Sequence, residues 1–475
     1  MVNESFLLAS SRGSVVAPAG CGKTELIARA IREPSGAGSL VLTHTHAGVN
    51  ALRDRLRRLG VARGRARVET IAGWCLRYAS AYPITSHLQS SEPVKQEWDA
   101  VYDGALRLLT SRAIQQVLRA TYSRVFVDEY QDCTARQHAV ILSLADHVPT
   151  CVLGDPLQGI FGFAGGCLPW TTEVEARFPP IGTLTEPWRW KGKNEALGKW
   201  LLGIRDPLIR GDEIDLTAAP ISWKTCTPEI QRTSAHVLAK ETGPIVAIRK
   251  WPKDAHAFAR SLGGSYPSME EIDCNDLLAF ANDMDELAGV SRAGRLVRFA
   301  GECLTEVSSK LASVQKQLDA GVVPDMQRYP KIGPIVEALA AVATGTEPKD
   351  IGRAMRGIEG MPGPKLFRRE LWREAIKTIA EFERGGCTNL RQAAWRLRNR
   401  HRANGRAVGV RSVSRTLLIK GLEFDHALVL DADEFEDAQK PGDGARHFYV
   451  AATRAARSLV VLSSSPRVRF SAPSL

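Results

Sequence analysis

Paired cysteines are missing from this 475-residue chain: its nine cysteines are scattered, with no C-x-x-C pair and no Cys/His cluster at zinc spacing. A structural zinc module and a disulfide framework are therefore not expected, and a reducing, cytoplasmic setting fits better. No apolar run approaches the roughly 20 residues that a membrane-spanning helix needs. Asn3 and Glu4 stand where a signal peptide would carry its basic segment, so a soluble chain with no membrane partner is expected. No short internal repeat occurs. Acids are in deficit, with 52 Asp+Glu against 63 Lys+Arg and a net charge of +11, which points to a polyanionic partner without saying which. What is present is ordinary for a folded protein: 44% hydrophobic and 24% charged residues exclude a disordered or collagen-like chain, and the length calls for two to four domains.

The first third has the rhythm of a parallel α/β domain. Short apolar segments at Ser14–Ala17, Leu40–Thr43, Val125–Val127 and Cys151–Leu153 read as strands, and Glu25–Ile31 and Gly48–Leu59 read as helices. Helical periodicity across Val94–Val117, with Trp98, Val101, Ala105, Leu108 and Leu109 on one face, marks an insertion. A second α/β stretch opens near Pro187 and includes a strand at Pro244–Ile248 and a helix at Asp254–Leu262. A long helical region interrupts it from about Asp273 to Arg402, and strands near Thr416–Ile419, Ala427–Leu430 and Ser458–Leu462 complete it.

Two segments carry chemistry. Ala17-Pro18-Ala19-Gly20-Cys21-Gly22-Lys23-Thr24 joins a strand to a helix and ends in the Gly-Lys-Thr of a phosphate-binding loop, although Ala17 takes the place of the usual first glycine. Glycines there let backbone N–H groups curl round phosphates at the positive end of a helix. Lys23 would reach the β- and γ-phosphates of ATP and Thr24 would hold Mg²⁺. Gly20, Cys21 and Gly22 complete the cradle. Downstream, the strand Val125-Phe126-Val127 delivers two adjacent acids: Asp128 to complete the Mg²⁺ shell and Glu129 to polarise the attacking water.

Asp128-Glu129-Tyr130-Gln131-Asp132, followed by Gly154-Asp155-Pro156-Leu157-Gln158-Gly159-Ile160-Phe161, resembles motifs II and III of superfamily 1 helicases of the UvrD/Rep/PcrA type. Further motifs follow the family order. Thr43-His44-Thr45-His46-Ala47 looks like motif Ia and Thr70-Ile71-Ala72-Gly73-Trp74 like a nearby DNA-contact motif. Glu186-Pro187-Trp188-Arg189-Trp190 is similar to motif IV, Lys420-Gly421-Leu422-Glu423-Phe424 to motif V, and Tyr449-Val450-Ala451-Ala452-Thr453-Arg454-Ala455 to motif VI. The resemblance spans about residues 10 to 465. It implies an α/β fold of two RecA-like parallel-sheet P-loop domains with helical insertions. Residues 1–82 and 122–186 would form the first domain, interrupted by a small helical insertion at 83–121. Residues 187–272 and 406–475 would form the second, interrupted by a helical insertion at 273–405.

The resemblance also implies roles. Arg189 and Arg454 would act on the γ-phosphate and Gln158 would sense it and position the water. Trp188 would stack on adenine, and Glu423 would contact the nucleotide. Thr43, His44, Thr70, Trp74, Phe161, Phe163 and Trp190 are the candidate DNA contacts. Some family features are absent. No Gln precedes Gln89, so the family's adenine-reading residue is missing, and the motif V histidine is lost from Arg415-Thr416-Leu417-Leu418-Ile419-Lys420-Gly421.

Positive charge gathers in two places. Arg53, Arg55, Arg57, Arg58, Arg63, Arg65 and Arg67 have only Asp54 among them, and ten basic residues with no acid run from Arg384 to Leu422. A solvated helix face is the usual reading of such a run, but the absence of any acid from the second points to a phosphate contact. No carboxylate cluster follows Ala455, so cutting chemistry is not expected. The function implied is an ATP- and Mg²⁺-dependent translocase or 3′→5′ helicase acting on single-stranded or tailed DNA. The alternative is a DNA-stimulated ATPase switch with a protein partner such as a nuclease, like the helicase-like subunit of the Gabija anti-phage system.

Overall fold

In the computed structural model, strand β1 (Arg12–Val16) is followed by β2 (Gly38–Thr43), β3 (Ala66–Thr70), β4 (Tyr122–Val127), β5 (Thr150–Gly154) and β6 (Pro180–Thr183). The structure describes residues 2–33, 37–90, 93, 97–161, 168–217, 220–271, 275–404, 409–437 and 439–475. The six strands lie in the order β3-β2-β4-β5-β1-β6, and every pairing is parallel. Continuous apolar runs become central strands because a parallel sheet is covered on both faces. Their side chains divide by alternation. Leu40, Leu42, Val125, Val127 and Val152 enter one core, while Val41, Phe126, Cys151 and Leu153 enter the core on the opposite face.

Helix α1 (Glu4–Ala9) leads in; α2 (Lys23–Arg32) and α3 (His46–Arg58) bring Ile27, Ile31, Leu52 and Leu56 to the second of those cores. Helix α4 (Ile71–Ala81) brings Trp74 and Cys75 to the first. The periodic stretch expected over 94–117 forms two helices, Trp98–Leu109 and Arg112–Thr121, because Thr110 and Ser111 break it. Val101, Ala105, Leu108 and Leu109 are buried on one face, as the periodicity predicts.

By contact density the chain divides into two compact units. Residues 1–226 with 420–475 form the first and 227–419 the second. The first unit also contains Phe424–Val429 parallel to Ala455–Ser463, itself parallel to Ser222–Thr225. In the second unit, Ile245–Arg249 pairs in parallel with Arg411–Arg415. Its helices from Asn275–Glu286 to Leu390–Asn404 enclose an apolar core with Phe280, Phe299 and Trp372 stacked at its centre. One expected strand is corrected. Thr416–Ile419 is a short helix, and the strand lies just before it at Arg411–Arg415. A four-residue apolar run suits either state; here Thr416 and Ile419, three apart, both turn inward. Among the described residues no helix is long and apolar enough to cross a membrane.

Candidate active site

The carboxyl edge of the first sheet, where ligands bind in open α/β sheets, gathers most of the chemistry-bearing side chains. β1 runs into the loop 17–22 and α2 starts at Lys23. Gly20 and Gly22 have φ of +70° and +87°, values that favour glycine. Space constrains them too. A Cβ on Gly20 would come within 2.6 Å of the Trp190 ring, and one on Gly22 within 3.1 Å of Trp188. The Arg189 N–H donates to the Gly20 carbonyl at 3.1 Å. The 188–190 turn is therefore packed onto the loop, with the N-terminus of α2 beside it.

The Lys23 ammonium lies 2.6 Å from Glu129 and 3.1 Å from Asp128, the two acids that leave the end of β4. Burial opposes the lysine's charge, but the two carboxylates overcome it and raise its pKa. Burial would also raise Glu129, yet Lys23 and Lys420 bring it down to about 2. At Asp128 burial wins and the carboxyl is pushed up. Glu129 has φ +58°, a strained backbone of the sort held at functional sites by surrounding contacts. Gln131 Nε2 donates to its Oε2 at 2.6 Å. A phosphate reaching Lys23 would compete with these acids for the ammonium, and a cation reaching Asp128 would replace it. The donor set fits a phosphate–metal pair, with the Thr24 side chain in the first turn of α2 as a further oxygen ligand.

Beyond β5, Asp155 is fully enclosed. It accepts from the Ala19 N–H at 3.2 Å and from Gln158 Nε2 at 2.8 Å, so it ties the phosphate loop to the glutamine. Gln158 Oε1 faces Arg454 Nη2 at 3.4 Å. Arg454 is 1% exposed, and its other donors go to the Val450 and Leu422 carbonyls and the Thr453 hydroxyl. Those acceptors are all neutral. Burial, aided by the neighbouring Arg189, lowers its pKa to about 9. An enclosed cation supplied only with neutral acceptors suits an incoming anion. Arg189 donates to the Thr453 carbonyl at 2.6 Å and pairs with Glu423 at 2.9 Å. Glu423 is held below the usual carboxylate range by that guanidinium, against the effect of burial.

Beside the loop, a cleft of about 570 Å³ is lined by Asn3, Cys21, Gly22, Leu26, Glu186 and Trp188 among others. Trp188 is 50% exposed, with Lys191 4.4 Å from its ring centre. Burial and Asp155 push the Cys21 thiol up to about 12, so it stays protonated.

The candidate DNA contacts do not gather in the same way. Phe161 is half-buried with the Lys420 ammonium 4.9 Å from its ring centre. Phe163 lies outside the described residues. His44 is half-buried, 3.5 Å from the Cys133 sulfur, and burial with the Lys420 charge lowers its pKa to about 4. Thr43 is buried, and the Thr70 hydroxyl caps α4 by accepting from Gly73 N–H at 2.9 Å. For Trp74 and Trp190 the expectation is corrected: both are 1% exposed, so neither ring has a face to offer a base. Trp74 packs against Tyr78 in the core, and Trp190 donates its indole N–H to the Ala455 carbonyl.

The arginine run is less bare than its sequence reads. Arg55 pairs with Glu25, Arg57 with Asp54 and Arg67 with Glu69. Near the other run, Arg384 and Arg400 both pair with Glu381, and Arg415 pairs with Glu271. Sequence reasoning assigned no role to Asp132, Asp155, Arg205 or Lys420. Three of them stand inside quoted motifs, which was the available signal; Arg205 carried none.

Residues 91–179 match a family model described as the UvrD/REP helicase N-terminal domain. The match takes in Asp128, Glu129, Asp155 and Gln158. No curated protein matches the chain. Among solved structures it is similar to the helicase in the complex of Arterivirus nonstructural protein 10 with DNA. That similarity has 15% identity and a TM-score of 0.27, and it covers 53% of this chain and 49% of that one. The chain thus spans about half the length of that protein.

Proposed function

We propose that this chain, which resembles the UvrD/Rep-type superfamily 1 helicases, hydrolyses ATP at the carboxyl edge of its first sheet and uses the cycle to move along single-stranded DNA. One observation carries the reading: Lys23, Asp128, Glu129, Gln158, Arg189 and Arg454, distant in sequence, converge on the phosphate loop. Residues 1–82 with 122–186 and 187–272 with 406–475 are taken as the two RecA-like domains, with 83–121 and 273–405 as insertions.

The loop 20–24 and Lys23 would hold the phosphates. Mg²⁺, held by Thr24 and Asp128, would supply charge neutralisation on the phosphate oxygens. Phosphate binding at Lys23 draws the ammonium away from Glu129, and Glu129 then becomes more basic. Its carboxylate takes a proton from the attacking water, which the Gln158 amide orients. Arg189 and Arg454 neutralise the charge that grows on the transferring phosphoryl group. Trp188 offers its exposed face to the base, and Glu423 keeps Arg189 aimed into the site. Phe161, three residues after Gln158, His44 and Phe163 are the proposed strand contacts, with Thr43 and Thr70 shaping the surface around them.

The test is ATP hydrolysis with and without single-stranded DNA, followed by strand displacement on 3′-tailed and 5′-tailed duplexes. Stimulated hydrolysis with displacement of the 3′-tailed duplex alone is expected from the resemblance. Stimulated hydrolysis with no displacement would instead favour a DNA-sensing switch that acts on a protein partner such as a nuclease. No hydrolysis under either condition would overturn both.

A further inference from the structure

Arg205 lies outside every recognised motif and outside the segment matched by the helicase family model. It opens the short helix Arg205–Arg210 and is largely enclosed. Its guanidinium grips Asp155 with both prongs, Nη1 to Oδ2 at 2.9 Å and Nη2 to Oδ1 at 2.8 Å. The same carboxylate accepts from the Ala19 and Leu157 N–H groups, each at 3.2 Å, and from Gln158 Nε2 at 2.8 Å. Five donors saturate its roughly four lone-pair sites. The charge balance depends on Arg205, because a bare carboxylate is strongly disfavoured at a fully enclosed position.

This arrangement fixes which way the Gln158 amide faces. With its NH₂ end held by Asp155, its oxygen end is left toward Arg454. A flipped amide would set an N–H against the arginine's own donors. Arg205 also faces an aromatic ring on the helix that precedes Arg454. Its guanidinium lies 5.0 Å from the centre of the Tyr449 ring. Tyr449 sits in the last turns of helix Asp443–Ala452, and its carbonyl accepts from the Thr453 hydroxyl at 2.8 Å, one residue before Arg454.

We propose that Arg205 is a positioning residue for the hydrolytic step: through Asp155 it holds the Ala19 turn of the phosphate loop and the Gln158 amide in register with Arg454, and through Tyr449 it braces the helix that presents Arg454. The proposal rests on the ATP-hydrolysis reading. Lysine cannot reproduce the role, because a point charge cannot satisfy both carboxylate oxygens or lie flat on a ring.

Two variants of the full chain test it against a role in charge balance alone. Arg205→Met combined with Asp155→Asn removes both charges, so neither partner is left stranded, while a single accepting oxygen remains for the Ala19, Leu157 and Gln158 donors that the carboxylate holds together. We expect a thermal midpoint close to that of the unaltered protein, a kcat for ATP at least about tenfold lower, and a KM for ATP within about threefold. Arg205→Lys should give an intermediate kcat. A folded double variant with the original kcat, or a loss confined to KM, overturns the proposal. Should the double variant fail to fold, Arg205→Lys decides: a kcat below about a third of the original at an unchanged midpoint supports the proposal, and the original kcat overturns it. If the unaltered protein hydrolyses no ATP, the hydrolysis reading falls and takes this one with it. If the unaltered protein turns over and the variants match it, only the role of Arg205 falls.

Discussion

Lys420 and Asp132 form an enclosed ion pair in the first unit, with the ammonium 2.5 and 2.6 Å from the two carboxylate oxygens. Their side chains are 6% and 4% exposed. The same ammonium donates to the Gln158 carbonyl and lies beneath the Phe161 ring. It therefore joins the end of the acid-bearing segment to the residues that would face nucleotide and strand. Removing one partner would strand the other charge, so Lys420→Ala should lose about 3–5 kcal/mol of stability. Lys420→Met with Asp132→Asn should recover most of that loss in urea unfolding. A double variant as unstable as the single one would show that the pair's charge is not what matters.

Glu129→Gln keeps the size and the hydrogen bond from Gln131 but removes the base. ATP turnover should fall by about 10²–10⁴-fold, while binding of a fluorescent ATP analogue stays within a few-fold. Near-normal turnover would remove Glu129 from the role of base.

Arg454→Ala takes away an enclosed cation whose partners are neutral. The expected loss in kcat is about 10³-fold or more, as for arginines that complete a phosphoryl-transfer site. Arg454→Lys should recover little, since the fixed fork of donors is lost. Single-turnover hydrolysis separates this from slow product release.

His44 gives a pH dependence of stability. Its folded pKa of about 4 lies below the unfolded value of about 6.5, so between these limits the unfolded chain binds the extra proton. Its contribution to stability is fully present above about pH 6.5 and is lost as the pH falls through about 4. The steepest part amounts to at most about 1.4 kcal/mol per pH unit. Thermal unfolding of the unaltered protein should weaken from pH 7 to pH 4.5 more than that of His44→Gln. Equal pH profiles would show that His44 keeps its ordinary pKa in the fold.

Trp74→Ala should behave as a core deletion, costing about 3–5 kcal/mol. Trp74→Phe should lose less and bind single-stranded DNA as the unaltered protein does. A weakening of DNA binding by Trp74→Phe at unchanged stability would restore a strand contact for this residue.

Much of the site was legible because its chemistry needs contiguous residues. Gly22-Lys23-Thr24 and Asp128-Glu129 announce themselves by spacing, and the burial of β2, β4 and β5 on both faces follows from apolar runs that a covered parallel sheet requires. The aromatics were not legible in the same way. Trp74, Trp188 and Trp190 all sit in recognisable motifs, yet only Trp188 keeps an open face. A residue's type does not reveal which side of a turn or helix it occupies. The first arginine run is less bare than it reads for a related reason, since Glu25 reaches Arg55 only in the folded chain.

The strand–loop–helix cradle, the acid pair at the end of β4 and the α/β class can be read along the chain, because each depends on local periodicity or on residues a few positions apart. That Arg205 saturates Asp155, that Lys420 meets Asp132 and that Arg454 faces Gln158 emerges only once the chain is folded. Those contacts join residues 50, 288 and 296 positions apart. They exist because enclosed charges must find partners, and where those partners lie is set by the packing of the fold rather than by any spacing along the chain.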